Sequence, residues 1–434
     1  MSVPLSKSVA HAGRLSATTA VLALICLMYA ITYIDRVNVS TASSAFKQDM
    51  HLSNTQVGLV FSAFAYPYLI FQIIGGWLSD RFGARLALTV SAVFWAGATL
   101  FTGLVVGLGG MLFARVMLGF GEGATFPTAT RAMSDWTPEG NRGFAQGITH
   151  SSARLGNALT PPLVAWLMTL MNWRGSFVIL GIISLFWAAA WGVYFRDDPH
   201  THPGITAAEL AALPPYATRA EKKKLPVPWS RLTRRMLPVT MVYFCYGWTL
   251  WLYLAWIPSF FLHSYRLDLR NSAFFSAGVF FAGVLGDALG GWVSDRVLHK
   301  TGDRKKARRD LVVFGFLCSL VATVPILFSH NLTGAAICLS LAFFFSEFTI
   351  GPMWAIPMDI APRFSGSASG LMNTGSALAA IISPLVFGFV IDKTGNWELP
   401  FLGNIVLLLL GAILAFRMKP EEPLDSLPLA AAQL

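Results

Sequence analysis

Gly75-Gly76-Trp77-Leu78-Ser79-Asp80-Arg81 returns as Gly290-Gly291-Trp292-Val293-Ser294-Asp295-Arg296, 215 residues later in a chain of 434. Six of the seven positions are identical, and the offset is almost half the chain, so the sequence reads as a duplication of one unit in the same direction. Each copy stands at the end of the second apolar run of its half. Paired glycines let two helices approach closely, the aspartate is expected to cap the helix that follows, and the arginine to stay at a polar interface.

Working outward from the two copies, the chain is 55% hydrophobic and 12% charged, with a mean hydropathy of +0.58. A soluble domain needs more polar surface, whereas a bundle bathed in lipid does not. Twelve apolar runs fall at 18–41, 54–79, 86–106, 108–130, 143–170, 174–195, 237–262, 271–295, 310–328, 333–356, 366–391 and 397–416. Each is roughly 20 residues, which spans ~30 Å of hydrocarbon at ~1.5 Å per residue. The expected fold is therefore an all-α membrane protein with 12 transmembrane helices in two pseudo-symmetric six-helix bundles. The bundles occupy 1–195 and 237–434. Between them, 196–236 carries six prolines and Lys222-Lys223-Lys224, which reads as a linker with a short surface helix near 206–213.

The net charge of +10 follows the loops and does not form a nucleic-acid surface. Of the 32 Lys and Arg, five (Lys47, Arg174, Arg266, Arg270 and Lys393) lie in loops on one side, three lie inside spans, and the remaining 24 lie on the side of the two tails. By the positive-inside rule both termini and the linker are expected in the cytoplasm, with the chain in the inner (plasma) membrane. Lys7 and Arg14 precede an apolar stretch without a small-residue cleavage site, so the first helix is expected to be retained. Cys26, Cys245, Cys318 and Cys338 all sit in apolar runs, with no disulfide or metal spacing.

Three arginines and several acids lie inside the spans. A charge at the bilayer centre costs ~2.5–3.5 kcal/mol on insertion scales, so such residues mark function. Asp35 and Arg36 stand side by side in Tyr33-Ile34-Asp35-Arg36-Val37-Asn38, about 17 residues or ~26 Å into the first span. Arg115 and Glu122 are seven apart and share a helix face with Gly119 between them. The depths allow one cluster. Burial favours a neutral acid and a nearby guanidinium favours the carboxylate; the arginine stays charged and can hold an anion in a bidentate fork. His150, Arg154 and Asn157 share a face of the fifth span, Arg154 as a candidate anion contact and His150 as a solvated histidine. Aromatic residues crowd the seventh span, read mainly as an interfacial belt, with Tyr246 alone assigned to a site. Asp287 and Glu347 are read as structural. No phosphate-cradling Gly-Lys-Ser/Thr loop is present, so ATP is not the expected energy source, and no nucleophile or metal constellation points to an enzyme.

Gly76-x-x-x-Asp80-Arg81-x-Gly83-x-Arg85 resembles the loop signature of the major facilitator superfamily, with Gly291, Asp295 and Arg296 as its second copy. The Tyr33–Asn38 stretch, Arg115-x-x-x-Gly119-x-Gly121-Glu122-Gly123, Trp354 and Gly370-Leu-Met-Asn373-Thr-Gly375 are similar to the superfamily's anion:cation symporters, which include bacterial galactonate, hexuronate, glucarate and tartrate carriers. The likeness runs through essentially the whole chain. It implies a functional monomer that imports an organic anion, above all a sugar acid, by alternating access, with the proton as coupling ion and no other cofactor. It implies Asp35 and Glu122 as proton carriers, and Tyr33, Arg36, Tyr68, Arg115, Trp354 and Asn373 around the substrate. Leu155-Gly-Asn-Ala-Leu-Thr-Pro161-Pro162 departs from the antiporter pattern of the fifth helix and favours symport. Exchange or symport of aromatic or dicarboxylic acids is the alternative within transport. A non-transporting membrane sensor is the alternative outside it.

Overall fold

The computed structural model describes residues 16–424 except 53, 217–225, 268, 329 and 330. No strand occurs among the described residues; everything is helix and short connection. We number the spanning helices α1 to α12. They are α1 (Ala17–Thr41), α2 (Asn54–Ala63 and Ala65–Phe82), α3 (Ala84–Thr102), α4 (Leu108–Gly123 and Thr125–Trp136), α5 (Arg142–Leu170) and α6 (Trp173–Tyr194) in the first half. The second half holds α7 (Trp229–Ser264), α8 (Leu269–Thr301), α9 (Leu311–Thr323), α10 (Leu332–Glu347 and Ile350–Ile360), α11 (Ser365–Thr394) and α12 (Pro400–Ala415). Two differences from the sequence reading stand out. α7 starts at Trp229, well before 237, and α4 runs on to Trp136, past 130.

The three broken helices share one cause. Proline cannot donate to the carbonyl four residues back, and its ring crowds that carbonyl. Pro67 follows the end of the first piece of α2 at Ala63 by four residues, Pro127 so follows Gly123 in α4, and Pro352 stands four after Phe348, in the break of α10. α4 and α10 are equivalent helices of the two halves, so the duplication extends to their breaks.

Nine of the described helical stretches are long and apolar enough to cross a bilayer. The three spans outside that set are α4, with its break and its Arg115, Glu122 and Arg131, α5, with Arg142 and Arg154, and α12, of only 16 residues. Large apolar side chains stay exposed on α3 (Val90, Phe94), α6 (Ile183, Phe186), α9 (Phe314, Val321) and α12 (Val406, Ile413), a pattern that suits lipid and not water. These four helices lie outermost and leave the interior to the other eight.

The halves meet at the end that carries the duplicated motif. α5 packs along α8 and the second piece of α10, while α2 and the second piece of α4 pack along α11. The glycine pairs make this possible. A methyl group on Gly75 would collide with Ala124, and one on Gly290 with the carbonyl of Phe348, each within its own half. On Gly76 it would strike the carbonyl of Gly366 in α11, and on Gly291 that of Gly143 in α5, each across the interface. The first glycine of each pair thus seats the helix on its own half and the second seats it on the other.

Between α6 and α7, the chain forms a short helix, Ala207–Ala212, closed by a capping box between Thr206 and Glu209. Glu209 also accepts from the backbone N–H and hydroxyl of Thr18, at 3.1 and 3.0 Å, which ties this helix to the start of α1.

Candidate functional site

A narrow cavity of about 30 Å³ lies between the halves, lined by Tyr33, Arg36, Tyr68, Phe126, His150 and Arg154 from the first half and by Tyr243, Trp251, Trp354, Asn373 and Ser376 from the second. None of its lining comes from α3, α6, α9 or α12. Its charge comes from α1 and α5. Tyr29, Tyr33 and Arg36 share a face of α1, and the guanidinium of Arg36 lies over the rings of Tyr33, Tyr68 and Phe126 at 4.9, 4.7 and 5.1 Å. Asp35, one residue and about 100° earlier, faces the other way. It is buried against α6, where the Ser184 hydroxyl donates to it at 3.3 Å, and its second oxygen has no hydrogen-bond partner among the described residues.

Arg36 Nε donates to Glu122 Oε2 at 2.5 Å. Glu122 is fully buried, immediately before the break of α4, and its Oε1 accepts from no group among the described residues. Arg115, two turns toward the far end of α4, donates to the carbonyl of Val60 at 3.3 Å and stacks on Phe64 at 5.1 Å. Between them Gly119 is pressed against the carbonyl of Phe64 and the ring of Pro67, which is why that face carries no side chain.

On the other side of the cavity, Arg154 of α5 bridges to Glu347 of α10 through Nη2 at 3.0 Å and Nε at 3.3 Å. Tyr246 of α7 joins them, accepting from Arg154 Nη2 at 3.1 Å and donating to Glu347 at 2.9 Å. Asp287 of α8 approaches Arg154 to 3.9 Å. Trp354 donates its indole N–H to the Tyr243 hydroxyl at 2.7 Å and sets its edge against His150. Asn373 donates across the interface to Gln72 at 2.8 Å and to Tyr68 at 3.4 Å. Among the described residues, both cavity arginines leave a terminal nitrogen unpaired: Nη2 of Arg36 and Nη1 of Arg154.

The motif end is latched by two equivalent aspartates. Asp80 accepts from the backbone N–H of Gly366 and Ser367 and from the Ser367 hydroxyl at 3.1, 2.7 and 2.7 Å, capping the start of α11. Asp295 accepts from the N–H groups of Gly143 and Phe144 at 3.0 and 2.6 Å, capping the start of α5. The sequence expectation that each aspartate caps the helix after it is thus corrected. The helix after it opens at Gly83, whose φ of 92° no side chain tolerates well, and an added Cβ would strike Asp197. Arg131 Nη1 donates to the Pro362 carbonyl at 2.6 Å, and Arg142 and Arg308 share Asp359 at 3.1 and 3.0 Å. Arg85 ties its loop to Asp197 and to the Gly192 carbonyl. Arg81 and Arg296 lie over Trp77 and Trp292.

Of the eight residues assigned to substrate, six line the cavity: Tyr33, Arg36, Tyr68, Arg154, Trp354 and Asn373. Tyr246 stands behind it, stacked on Tyr243, and Arg115 lies outside the lining. Two readings are corrected. His150 is buried among Tyr29, Phe126 and Trp354, not solvated. Tyr243, Tyr246 and Tyr253 are buried in the core and form no interfacial belt. Asp287 and Glu347 stand with Arg154 and Tyr246 at the back of the cavity. Sequence reasoning missed Tyr243 and Trp251, whose spacing of eight places them on one face of α7, a signal masked by the other aromatics there.

The family profile of the Major Facilitator Superfamily matches residues 25–384 and 297–433. The chain is 44% identical over 414 residues to the probable sulfoacetate transporter SauU of Cupriavidus necator, covering 95% of this chain and 96% of that one. It is 32% identical over 395 residues to the hexuronate transporter of Bacillus subtilis, covering 89% and 91%. Among solved structures, FucP in an outward conformation superposes with a TM-score of 0.72 at 16% identity, over 93% of this chain and 99% of that one.

Proposed function

The chain belongs to the Major Facilitator Superfamily, and on the premise that it is a multi-pass membrane transporter and not an enzyme, we propose that it imports a small organic anion together with protons. One observation carries the reading. Two guanidiniums, Arg154 buried and Arg36 largely so, line a single cavity, each paired with a carboxylate on one side and left on the other with a nitrogen that has no partner among the described residues. An anionic guest would complete both.

Glu122 is the internal anion that holds Arg36 when no guest is present. A proton on Glu122 dissolves that pair and releases a charge that the low-dielectric cavity cannot leave uncompensated, so a guest carboxylate takes the vacancy. Asp35, adjacent to Arg36 with one oxygen unpaired, is the second carrier of the proton on this side. Arg115 acts on the electrostatics of this pair from outside the cavity. The motif end, with both tails, is placed in the cytoplasm on its excess of Lys and Arg. Since the halves are latched there, the arrangement is that of a carrier closed to the cytoplasm, and rocking about the cavity alternates exposure.

The substrate class we favour is sugar acids, in which Tyr33, Tyr68 and Asn373 read hydroxyls and Trp354 supplies a flat face. A compact dianion is the second reading, favoured by the unpartnered nitrogen on each of the two guanidiniums and by the relative named for sulfoacetate. Proteoliposomes containing the protein, given sulfoacetate, D-galactonate or D-glucarate under an inward proton gradient, test both readings. At least one should accumulate above equilibrium and collapse with the gradient. Accumulation of all three that ignores the proton gradient would refute proton coupling.

A further inference from the structure

We propose that Asp287 and Glu347 share one dissociable proton and form a second proton site, in the half opposite Asp35 and Glu122. Asp287 is fully buried, and neither of its oxygens receives a hydrogen bond from any N–H or O–H of the described residues. Its nearest cation, Arg154, is 3.9 Å away and is already committed to Glu347 at 3.0 Å. Asp287 and Glu347 thus converge on the one guanidinium of Arg154. Two buried carboxylates against one guanidinium leave an uncompensated negative charge, which one proton cancels.

Among the described residues the surroundings supply no other compensation. The titratable groups facing Asp287 are Arg154 from α5, Glu347 from α10 and Tyr246 from α7. His150, one turn from Arg154, is turned to Tyr29, Phe126 and Trp354. Gly283 and Gly286 of α8 lie against the Glu347 side chain, so the helices are close enough to hold the two acids together. The site is also placed to act. Arg154 belongs to the first half and both acids to the second, and Arg154 lines the cavity with Nη1 unpaired. A guest anion on Arg154 competes with Glu347; the displaced acid pair then holds its shared proton more tightly and carries it with the guest, and once Arg154 returns to Glu347 the hold loosens and the proton exchanges with the side that is open. The transport cycle therefore carries one proton through each half.

The inference rests on the proposed proton-coupled transport, and its test has an arm that needs no substrate. Infrared difference spectra of the purified protein, stepped in pH, should show a protonated-carboxyl band that Asp287→Asn removes and that Asp35→Asn and Glu122→Gln leave in place. In proteoliposomes, reversal potentials with whichever of the three probe acids the wild type accumulates should give one proton fewer per anion in Asp287→Asn. Glu347→Gln, which removes the same dissociable proton, should give the same loss. A band indifferent to both substitutions, or an unchanged proton-to-anion ratio, overturns the second site. Uptake without proton coupling, alongside a band that Asp287→Asn abolishes, overturns the transport reading and leaves the site standing.

Discussion

Replacing Asp80 by alanine should open the motif end. The carboxylate accepts three hydrogen bonds from the first turn of α11, at 3.1, 2.7 and 2.7 Å. Bonds to a charged group contribute about 1.5–3 kcal/mol each, but water recovers part of this when the halves separate, and the three are not additive. A net loss of about 3 kcal/mol from the closed state is reasonable, which at 1.4 kcal/mol per tenfold shifts the balance toward the open state by about 10²-fold. Spin labels on Phe82 and Arg363, exposed residues on opposite halves, would report it in a cysteine-free background. The variant should show a longer distance that is minor in the wild type, and Asp295→Ala, its counterpart on α5, should show the same. Unchanged distances in both variants would refute the latch.

Trp354→Phe keeps a ring against His150 but loses the 2.7 Å bond to Tyr243, which should cost about 1 kcal/mol, or about fivefold in anion affinity by calorimetry. Glu209 accepts bonds that, against the opposing effect of burial, hold its pKa at about 2 through the N–H and hydroxyl groups of Thr206 and Thr18. Because the folded value is depressed, its contribution to docking the Ala207–Ala212 helix is complete above the ordinary pKa of 4.5 and fades as pH falls toward 2. The protection of residues 206–212 against hydrogen exchange, taken relative to the intrinsic amide rate at each pH, should therefore be constant near neutral pH and fall in acid, and Glu209→Gln should be weakly protected throughout.

Local chemistry was legible in the sequence. Hydropathy and the duplicated motif disclose twelve spans in two halves, since both depend only on neighbours along the chain. The helix breaks were not read: Pro67, Pro127 and Pro352 stand at breaks, but Pro238 and Pro357 lie inside continuous helices, so a proline alone does not mark one. What stayed hidden depends on which faces meet. Nothing near Asp80 in the chain says that its partner is the start of α11, 286 residues away. Glu347 looks like an isolated buried acid until α5, a helix of the other half, brings Arg154 to it. His150 seemed wet because it lies toward a helix end, yet that end is sealed by the same latches. Adjacent Asp35 and Arg36 read as one site, but their 100° separation sends one to α6 and the other to the cavity.

The central claim is that Glu122 and the transported anion compete for Arg36. Anion affinity of the detergent-purified protein, measured by calorimetry across pH with an accumulated probe acid, tests it most directly. The wild type should bind more weakly as pH rises and Glu122 returns to Arg36, while Glu122→Gln should lose most of that slope and bind more tightly than the wild type at high pH. A variant that keeps the full pH dependence would show that Arg36 is not the shared partner.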